Sequence, residues 1–282
     1  APNAHDCQTA IATGTIGTPF SSIGRIEDTG GTPEHLDGLL DEVRIYDVVL
    51  DDAQVGAIIN EVHPCPLVTQ TVVHYPMDEE DWDGTAGEVE DISPNGLNAT
   101  SINGAITART EPAIDGSPGT CGYGVFDGNQ RIQGPNTDLI NDAESISLAV
   151  WLRMDGGNQP TPQNWQTIVA YGGVSFQPGG RFELYRLDGD GRLYVEIRRS
   201  NGSIESVSIP GGTVFDGNWH HVVASFDQDA RELRIWLDGA GPVTASPPGN
   251  LGMADTTGPL TAGAAPPPND AQGLTGNLDE LR

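Results

Sequence analysis

One short segment occurs twice in the chain, and the spacing of its two copies strongly constrains the fold. The segment is GLLDEVR at residues 38–44 and GNLDELR at residues 276–282, so its period, 276 minus 38, is 238 residues. Solenoid repeats recur every roughly 20–50 residues, and a period this long therefore indicates whole domains in tandem. We predict the C-terminal part of one domain over 1–60, a linker with Cys65 over 61–70, and a similar domain lacking its final segment over 71–282.

The charge of the chain disfavours several classes of partner. Asp and Glu number 40 against 13 Lys and Arg, all of them arginine, which gives a net charge of −27. Nucleic acids and anionic membrane surfaces would be repelled, and we expect neither as a partner. No stretch approaches the roughly 18 apolar residues of a membrane span, so we also expect no membrane insertion. An excess of carboxylates is compatible with divalent cations.

The hydropathy pattern of the second domain is that of half-buried strands. Apolar residues alternate with other residues over 146–153, 193–197 and 233–237, and glycine- and proline-containing turns separate these segments. Alternation with period two places the apolar residues on one face of a strand. Because strands recur without intervening helices, we predict an all-β, antiparallel, two-sheet sandwich.

Three cysteines are present, and none has the spacing of a zinc site. Cys65 lies between two prolines in the linker, and Cys121 precedes a predicted strand. We predict a Cys65–Cys121 disulfide that would join the linker to the edge of the domain. Cys7 would then be free or paired with a residue outside this sequence.

Four motifs resemble one family, and they occur in that family's order. DGNWHHVVASF at 216–226 followed by LRIWLDG at 233–239 resembles a hairpin of laminin-G-like domains in the concanavalin A-like lectin/glucanase superfamily. DISPNGLNAT at 91–100, VFDG at 125–128 and LDELR at 278–282 are similar to three further family segments. The resemblance implies a jelly roll without catalytic machinery of its own, used outside the cell for adhesion or carbohydrate binding.

A narrower resemblance concerns the context of the domain. HPCP at 63–66 together with PGTCGY at 118–123 is similar to the tandem laminin-G-like region of MSHA-type pilus biogenesis proteins. We therefore predict a non-catalytic adhesion module of a secreted or surface-displayed, pilus-associated bacterial protein. Its partners would be a glycan or surface protein ligand and neighbouring laminin-G-like repeats or filament subunits. Two alternatives stay open: a carbohydrate-binding module of a polysaccharide-degrading enzyme, and a purely structural repeat of a filament.

The resemblance also implies a structural calcium ion. In related glucanases, the aspartate of the closing strand holds calcium together with carbonyls near the N-terminus. By that resemblance Asp279 is a ligand, Asp78 and Asp127 are the nearest acidic candidates, and Asp41 has the same role in the preceding domain. The alternative is that Asp279 only hydrogen-bonds to a neighbouring strand.

Ligand binding is predicted on one sheet, and catalysis is not. Tyr185 and Tyr194 lie in strands with arginines nearby, and with Arg198 they form a candidate glycan surface. The glucanase pattern of paired glutamates on one strand is missing, and Glu183 is the only carboxylate of its strand segment, so we predict no enzyme activity. His220 and His221 are adjacent on a strand, point to opposite faces, and cannot hold one ion together.

Overall fold

The structure divides into two units that are considered separately. The computed structural model of the protein describes residues 25–26, 34–35, 49, 51, 53, 71–114, 120–155, 165–173, 180–187, 190–249, 251–266 and 273–282. Contacts between Cα atoms separate Ala1–Leu67 from Val68–Arg282. In the first unit, β1 (Arg25–Ile26) pairs antiparallel with β2 (Glu34–His35). Among the described residues, no helix is long and apolar enough to cross a membrane.

The second unit consists almost entirely of strands. Its described helical segments are α1 (Asp138–Asn141), which Thr137 caps through its side chain, and a 3₁₀ turn at Gly211–Thr213. The strands are β3 (Thr100–Ile102), β4 (Ile106–Ala108), β5 (Tyr123–Asp127), β6 (Arg131–Gln133), β7 (Ile146–Asp155), β8 (Trp165–Tyr171), β9 (Phe182–Leu187), β10 (Arg192–Arg198), β11 (Ile204–Pro210), β12 (Asp216–Asp227), β13 (Glu232–Leu237), β14 (Ala240–Ala245), β15 (Leu260–Ala262) and β16 (Thr275–Asp279).

These strands form two antiparallel sheets of seven strands each. Sheet A has the order β11-β10-β9-β8-β15-β6-β3, and sheet B has the order β14-β13-β12-β7-β16-β5-β4. Neighbours that are distant in sequence, such as β7 beside β16, require the chain to cross repeatedly between the sheets. The predicted all-β sandwich is thereby confirmed, and its architecture is that of a jelly roll.

The core lies between the sheets and contains the residues that the alternation predicted. Val150 and Leu152 of β7 are fully buried, as are Leu193 and Ile235 of β10 and β13. The inward residues of the two sheets form one continuous apolar cluster. Burying such side chains contributes roughly 1.5–3 kcal/mol each before the entropy cost of folding. The opposite faces of both sheets are therefore left to carry other functions.

The DISPNGLNAT motif forms a loop organised by one carboxylate. Asp91 is nearly fully buried and accepts hydrogen bonds from the backbone N–H groups of His74 (2.8 Å), Ser93 (2.9 Å) and Leu97 (2.7 Å). Burial raises the pKa of Asp91, but these hydrogen bonds outweigh it and the pKa lies below its ordinary value. Asp91 therefore links the opening segment of the unit to the loop after it.

Candidate functional site

Three aromatic rings stack on the outer face of sheet A. They belong to neighbouring strands: Trp165 of β8, Tyr185 of β9 and Tyr194 of β10. The ring centroids of Trp165 and Tyr185 are 3.8 Å apart, those of Tyr185 and Tyr194 are 5.2 Å apart, and the interplanar angles are 11° and 6°. We call these three residues the aromatic stack. Such offset, near-parallel packing of rings stabilises their arrangement beyond the apolar area they bury.

The position of each ring in the stack decides whether a ligand can reach it. Tyr185 is only 3% exposed, because a neighbouring ring covers each of its faces. Trp165 and Tyr194, at the two ends, are half-buried. Of the two tyrosines predicted to bind ligand, Tyr194 is therefore placed to meet one, whereas Tyr185 supports it from within.

A pair of glutamates lies beside the stack on the same face. The register of the β9–β10 hairpin sets Glu183 directly opposite Glu196, so sheet A carries two carboxylates side by side. Glu183 accepts hydrogen bonds from Trp165 Nε1 (2.9 Å) and Thr167 Oγ1 (2.6 Å), and Glu196 accepts one from the Tyr185 hydroxyl (3.0 Å). Burial, followed by the nearby Glu196 carboxylate, raises the pKa of Tyr185 well above its ordinary value.

Sequence reasoning missed this pair because it treated Glu183 as isolated. A signal was available: the sequence DGDG at 188–191 is typical of a tight turn, and a hairpin closed by it would place Glu183 opposite Glu196, which is the observed pairing. The two carboxylates are 0% and 6% exposed. Glycoside hydrolysis requires the substrate bond to lie between two carboxyl groups, one acting as nucleophile and one as acid. Because Glu183 and Glu196 are buried, they leave no exposed space for a substrate between them.

The arginines of this face are engaged with the adjacent hairpin. Arg198 donates from Nη1 to the Gly202 carbonyl (2.9 Å) in the turn between β10 and β11. Arg192 donates from Nε to the Ser208 hydroxyl (2.9 Å) and from Nη2 to the Ser208 carbonyl (3.2 Å). Arg198, the third predicted ligand residue, is thus close to Tyr194 in sequence but bound to the turn.

A second candidate site surrounds Asp279, at the end of β16. Asp279 is 0% exposed, and among the described residues neither carboxylate oxygen has a hydrogen-bond partner of ordinary geometry. Burial raises the pKa of Asp279 to about 7; Thr120 and the Ala113 backbone act against this shift, while Glu280 and Asp78 add to it. An isolated buried carboxylate is costly to leave uncompensated.

A second aspartate, Asp78, lies near Asp279. Asp78 lies close enough to raise the pKa of Asp279, and its Oδ1 accepts from the backbone N–H groups of Cys121 (2.9 Å) and Gly122 (2.7 Å). Within the part of the chain that the structure describes, no three His, Cys, Asp or Glu residues form a metal-binding group.

Local backbone strain occurs next to both aspartates. Met77 (φ 59°) precedes Asp78, Glu280 (φ 52°) follows Asp279, and non-glycine residues with positive φ are uncommon. A Cβ at Gly122 would lie 2.9 Å from the Met77 carbonyl oxygen, so this close approach requires glycine. Such strain persists only where the surrounding structure enforces it.

The other acidic residues and the cysteines of the prediction have different positions. Asp127 is exposed and pairs with Thr275, four residues along β16 from Asp279, which corresponds to about 13 Å. The structure therefore does not bring Asp127 to Asp279. Cys121 is exposed and its thiol is free, so the structure does not contain the predicted Cys65–Cys121 disulfide. Cys65 and Asp41 lie outside the described residues, and the predicted role of Asp41 stays a prediction.

The WHH motif has a structural role on sheet B. The Arg153 guanidinium lies 5.0 Å from the Trp219 ring and 5.2 Å from the Tyr123 ring, and Nη1 of Arg153 binds Glu111 Oε2 at 2.7 Å. Trp219 Nε1 also donates to the Glu111 carbonyl (2.9 Å). Trp219 is half-buried on the outer face of sheet B, where it fixes the segment around Glu111.

The two adjacent histidines separate as predicted. His220 binds Asp238 Oδ2 through Nδ1 (2.8 Å) and Asp216 Oδ1 through Nε2 (3.0 Å). The His221 ring packs 5.1 Å from Trp151 on the outer face of sheet B. Because carboxylates only accept, His220 needs protons on both nitrogens to donate to both aspartates.

Comparisons with known proteins agree with this architecture. A sequence profile described as the concanavalin A-like lectin/glucanases superfamily matches residues 126–282, more than half of the chain. A search of curated proteins returned no significant match.

Solved structures with this fold include two toxin domains. The binding domain of Paraclostridial Mosquitocidal Protein 1 is 14% identical with a TM-score of 0.53, over 71% of this chain and 47% of that one. The ligand-binding domain of botulinum neurotoxin serotype D, in complex with N-acetylneuraminic acid, is 10% identical with a TM-score of 0.52, over 75% and 46%. The chain thus spans about half the length of these structures, and the likeness concerns the fold. Residues 126–282 place the chain in the concanavalin A-like lectin/glucanase superfamily, and it belongs to that family.

Proposed function

We propose that the second unit is a non-catalytic binding module that acts outside the cell and holds a glycan against the aromatic stack. The observation that carries the proposal is the stack itself, whose end ring Tyr194 is half-buried on a sheet face of a lectin-like sandwich. Aromatic rings bind the apolar faces of sugars, while polar groups at the rim bind their hydroxyls. The exposed hydroxyl of Ser206, on the neighbouring strand β11, supplies such a group.

The absence of catalysis in this proposal follows from burial. Glu183 and Glu196 are hydrogen-bonded beneath the outer surface, where a substrate would have to displace those contacts. The similar toxin structures are described as binding domains, which supports a binding role without identifying the ligand.

The setting of the module is part of the proposal. A tandem arrangement of laminin-G-like units on a bacterial surface or pilus agrees with the repeated segment at 38–44 and 276–282. Several tandem units would then bind the glycan or surface protein ligand together. Neighbouring repeats or filament subunits would be further partners. A module attached to a polysaccharide-degrading enzyme is the alternative, and a catalytic domain in the full-length gene would decide for it.

A glycan array with the intact chain tests the binding proposal. We expect a defined set of glycans to bind, and Tyr194→Ala to weaken binding about tenfold, since the ring face is lost while the core stays intact. Trp236→Ala, a half-buried indole on sheet B, is the matched control and should leave affinity unchanged. Retention of full affinity by folded Tyr194→Ala would contradict the assignment of the site.

We also propose that Asp279 holds a structural calcium ion, with Asp78 and the Thr120 hydroxyl as the nearest additional oxygen donors. The support is the burial of the Asp279 carboxylate, whose oxygens lack a hydrogen bond of ordinary geometry among the described residues. The ion would neutralise this charge and connect β16 to the segment before β5. Its role would be stability, because the aromatic stack lies on the other sheet.

A further inference from the structure

The charged groups around the aromatic stack are already engaged within the protein. Glu183 and Glu196 accept from the side chains of the stack and from Thr167. Asp190 accepts from the Tyr194 hydroxyl (2.5 Å) and from the Arg192 backbone N–H (3.0 Å). The carboxylates of this face are thus occupied by donors of the protein.

The arginines of this face are also hydrogen-bonded within the protein. The Arg192 guanidinium donates to Ser208, and that of Arg198 donates to Gly202, so each is bound within the β10–β11 hairpin. A site built for a carboxylate or sulfate normally presents an arginine fork toward the ligand. Drawing either arginine toward an anionic ligand would sacrifice contacts that hold the hairpin.

The net negative charge of the chain also disfavours anionic ligands. With 40 acidic residues against 13 arginines, the chain repels a polyanion before contact, and this repulsion weakens as salt is added. What remains for recognition is the ring face of Tyr194 and the exposed hydroxyl of Ser206 on β11. These groups match uncharged hydroxyl-bearing rings.

We infer that the ligand class of the aromatic stack is an uncharged glycan, and that acidic polysaccharides and sialylated or sulfated sugars are rejected. This inference rests on the proposed function, since it specifies the ligand of the same site. Arg198 is on this account a positioning residue of the β10–β11 turn. Selectivity then comes from the engaged charges and the overall field.

The test uses an array that contains uncharged, carboxylated, sulfated and amino glycans, followed by titration of the strongest binder at two salt concentrations. We expect the strongest binders to be uncharged, with affinity changing less than about twofold between about 50 mM and 500 mM NaCl. Strongest binding to carboxylated, sulfated or amino glycans would overturn the inference of an uncharged ligand while the proposed function stands. Binding to none of the glycans would refute the proposed function and the inference with it.

Matched variants separate ring recognition from charge recognition. Folded Arg198→Gln should bind the same glycan within about twofold of the wild type, whereas Tyr194→Ala should lose about tenfold. A loss from Arg198→Gln as large as that from Tyr194→Ala, with an unchanged melting temperature, would overturn the inference. Asp229→Asn, which removes an exposed charge in the β12–β13 turn, is the control for net charge.

Discussion

Replacing Asp279 by asparagine should stabilise the calcium-free protein and destabilise the calcium-loaded one. Asp279 has a pKa of about 7 in the folded state against 3.8 for an ordinary carboxyl. Between these two values the folded state binds the extra proton, so the stability of calcium-free wild type falls as pH rises from about 4 to 7 and levels off above it. A shift of about three units corresponds to about 4 kcal/mol at the upper end, and Asp279→Asn recovers part of it.

Bound calcium reverses the effect of Asp279→Asn on the free energy of unfolding. A cation stabilises the ionised carboxylate, so bound calcium adds stability in the wild type according to its concentration and affinity, and Asp279→Asn loses that gain. Unfolding by urea, followed by tryptophan fluorescence at several pH values with chelator or with calcium, measures both effects. Asp127→Asn, on the exposed surface of β5, is the control and should behave as the wild type.

Two results would refute parts of this reasoning independently. If stability in chelator shows the same pH dependence in wild type and Asp279→Asn, the carboxylate is not an uncompensated buried charge. If calcium leaves the unfolding curve of the wild type unchanged at pH 8, the site does not hold this ion. The first outcome concerns the burial of Asp279, and the second concerns the identity of its partner.

Further substitutions test the loop, the histidine and the disulfide. Asp91→Ala should lower the free energy of unfolding by about 2–4 kcal/mol at pH 7, measured by urea titration, because three backbone donors lose their acceptor. Since folding lowers the pKa of Asp91, this difference should be full above about pH 4 and should shrink as pH falls through the lower folded pKa. Burial lowers the pKa of His220, but its two aspartate partners outweigh this and raise it, so its contribution is fully present below about pH 6.5 and is lost as pH rises through the folded pKa. His220→Gln should therefore flatten the change in melting temperature above that pH, and an unaltered profile would count against the two-aspartate contact. Because the Cys121 thiol is exposed and free in the structure, mass spectrometry of the non-reduced protein after proteolysis should recover its peptide unlinked, and a peptide linked through Cys65 and Cys121 would contradict this.

The strand faces and the closing strand were predictable from local sequence. The alternation over 146–153 identified the inward residues of β7, because side chains of a strand point to opposite faces in turn. The repeated segment at 276–282 overlaps β16, which lies in the middle of sheet B. Both signals depend only on residues that are neighbours in the chain.

The outward aromatic residues of sheet B were harder to assign. Trp219, His221 and Val223 of β12 face outward, while Val222 and Ala224 face the core. Both faces of this strand carry apolar side chains, so hydrophobicity alone does not select the buried one. The choice depends on which neighbour covers the strand, and that is set by tertiary contacts such as Arg153 on Trp219.

The role of Asp279 also depends on tertiary contacts that the local sequence does not reveal. Sequence resemblance supplied the residue and the class of ion, but it ranked Asp78 and Asp127 equally. The fold separates them, because Asp127 ends β5 and pairs with Thr275, at the opposite end of β16 from Asp279. Asp78, in contrast, accepts hydrogen bonds from the segment that enters β5. What makes Asp279 a candidate ligand is that the fold buries its carboxylate and leaves both oxygens unpaired among the described residues. A buried charge of that kind calls for a counter-ion or a proton, and measuring stability against pH in the absence of calcium distinguishes the two.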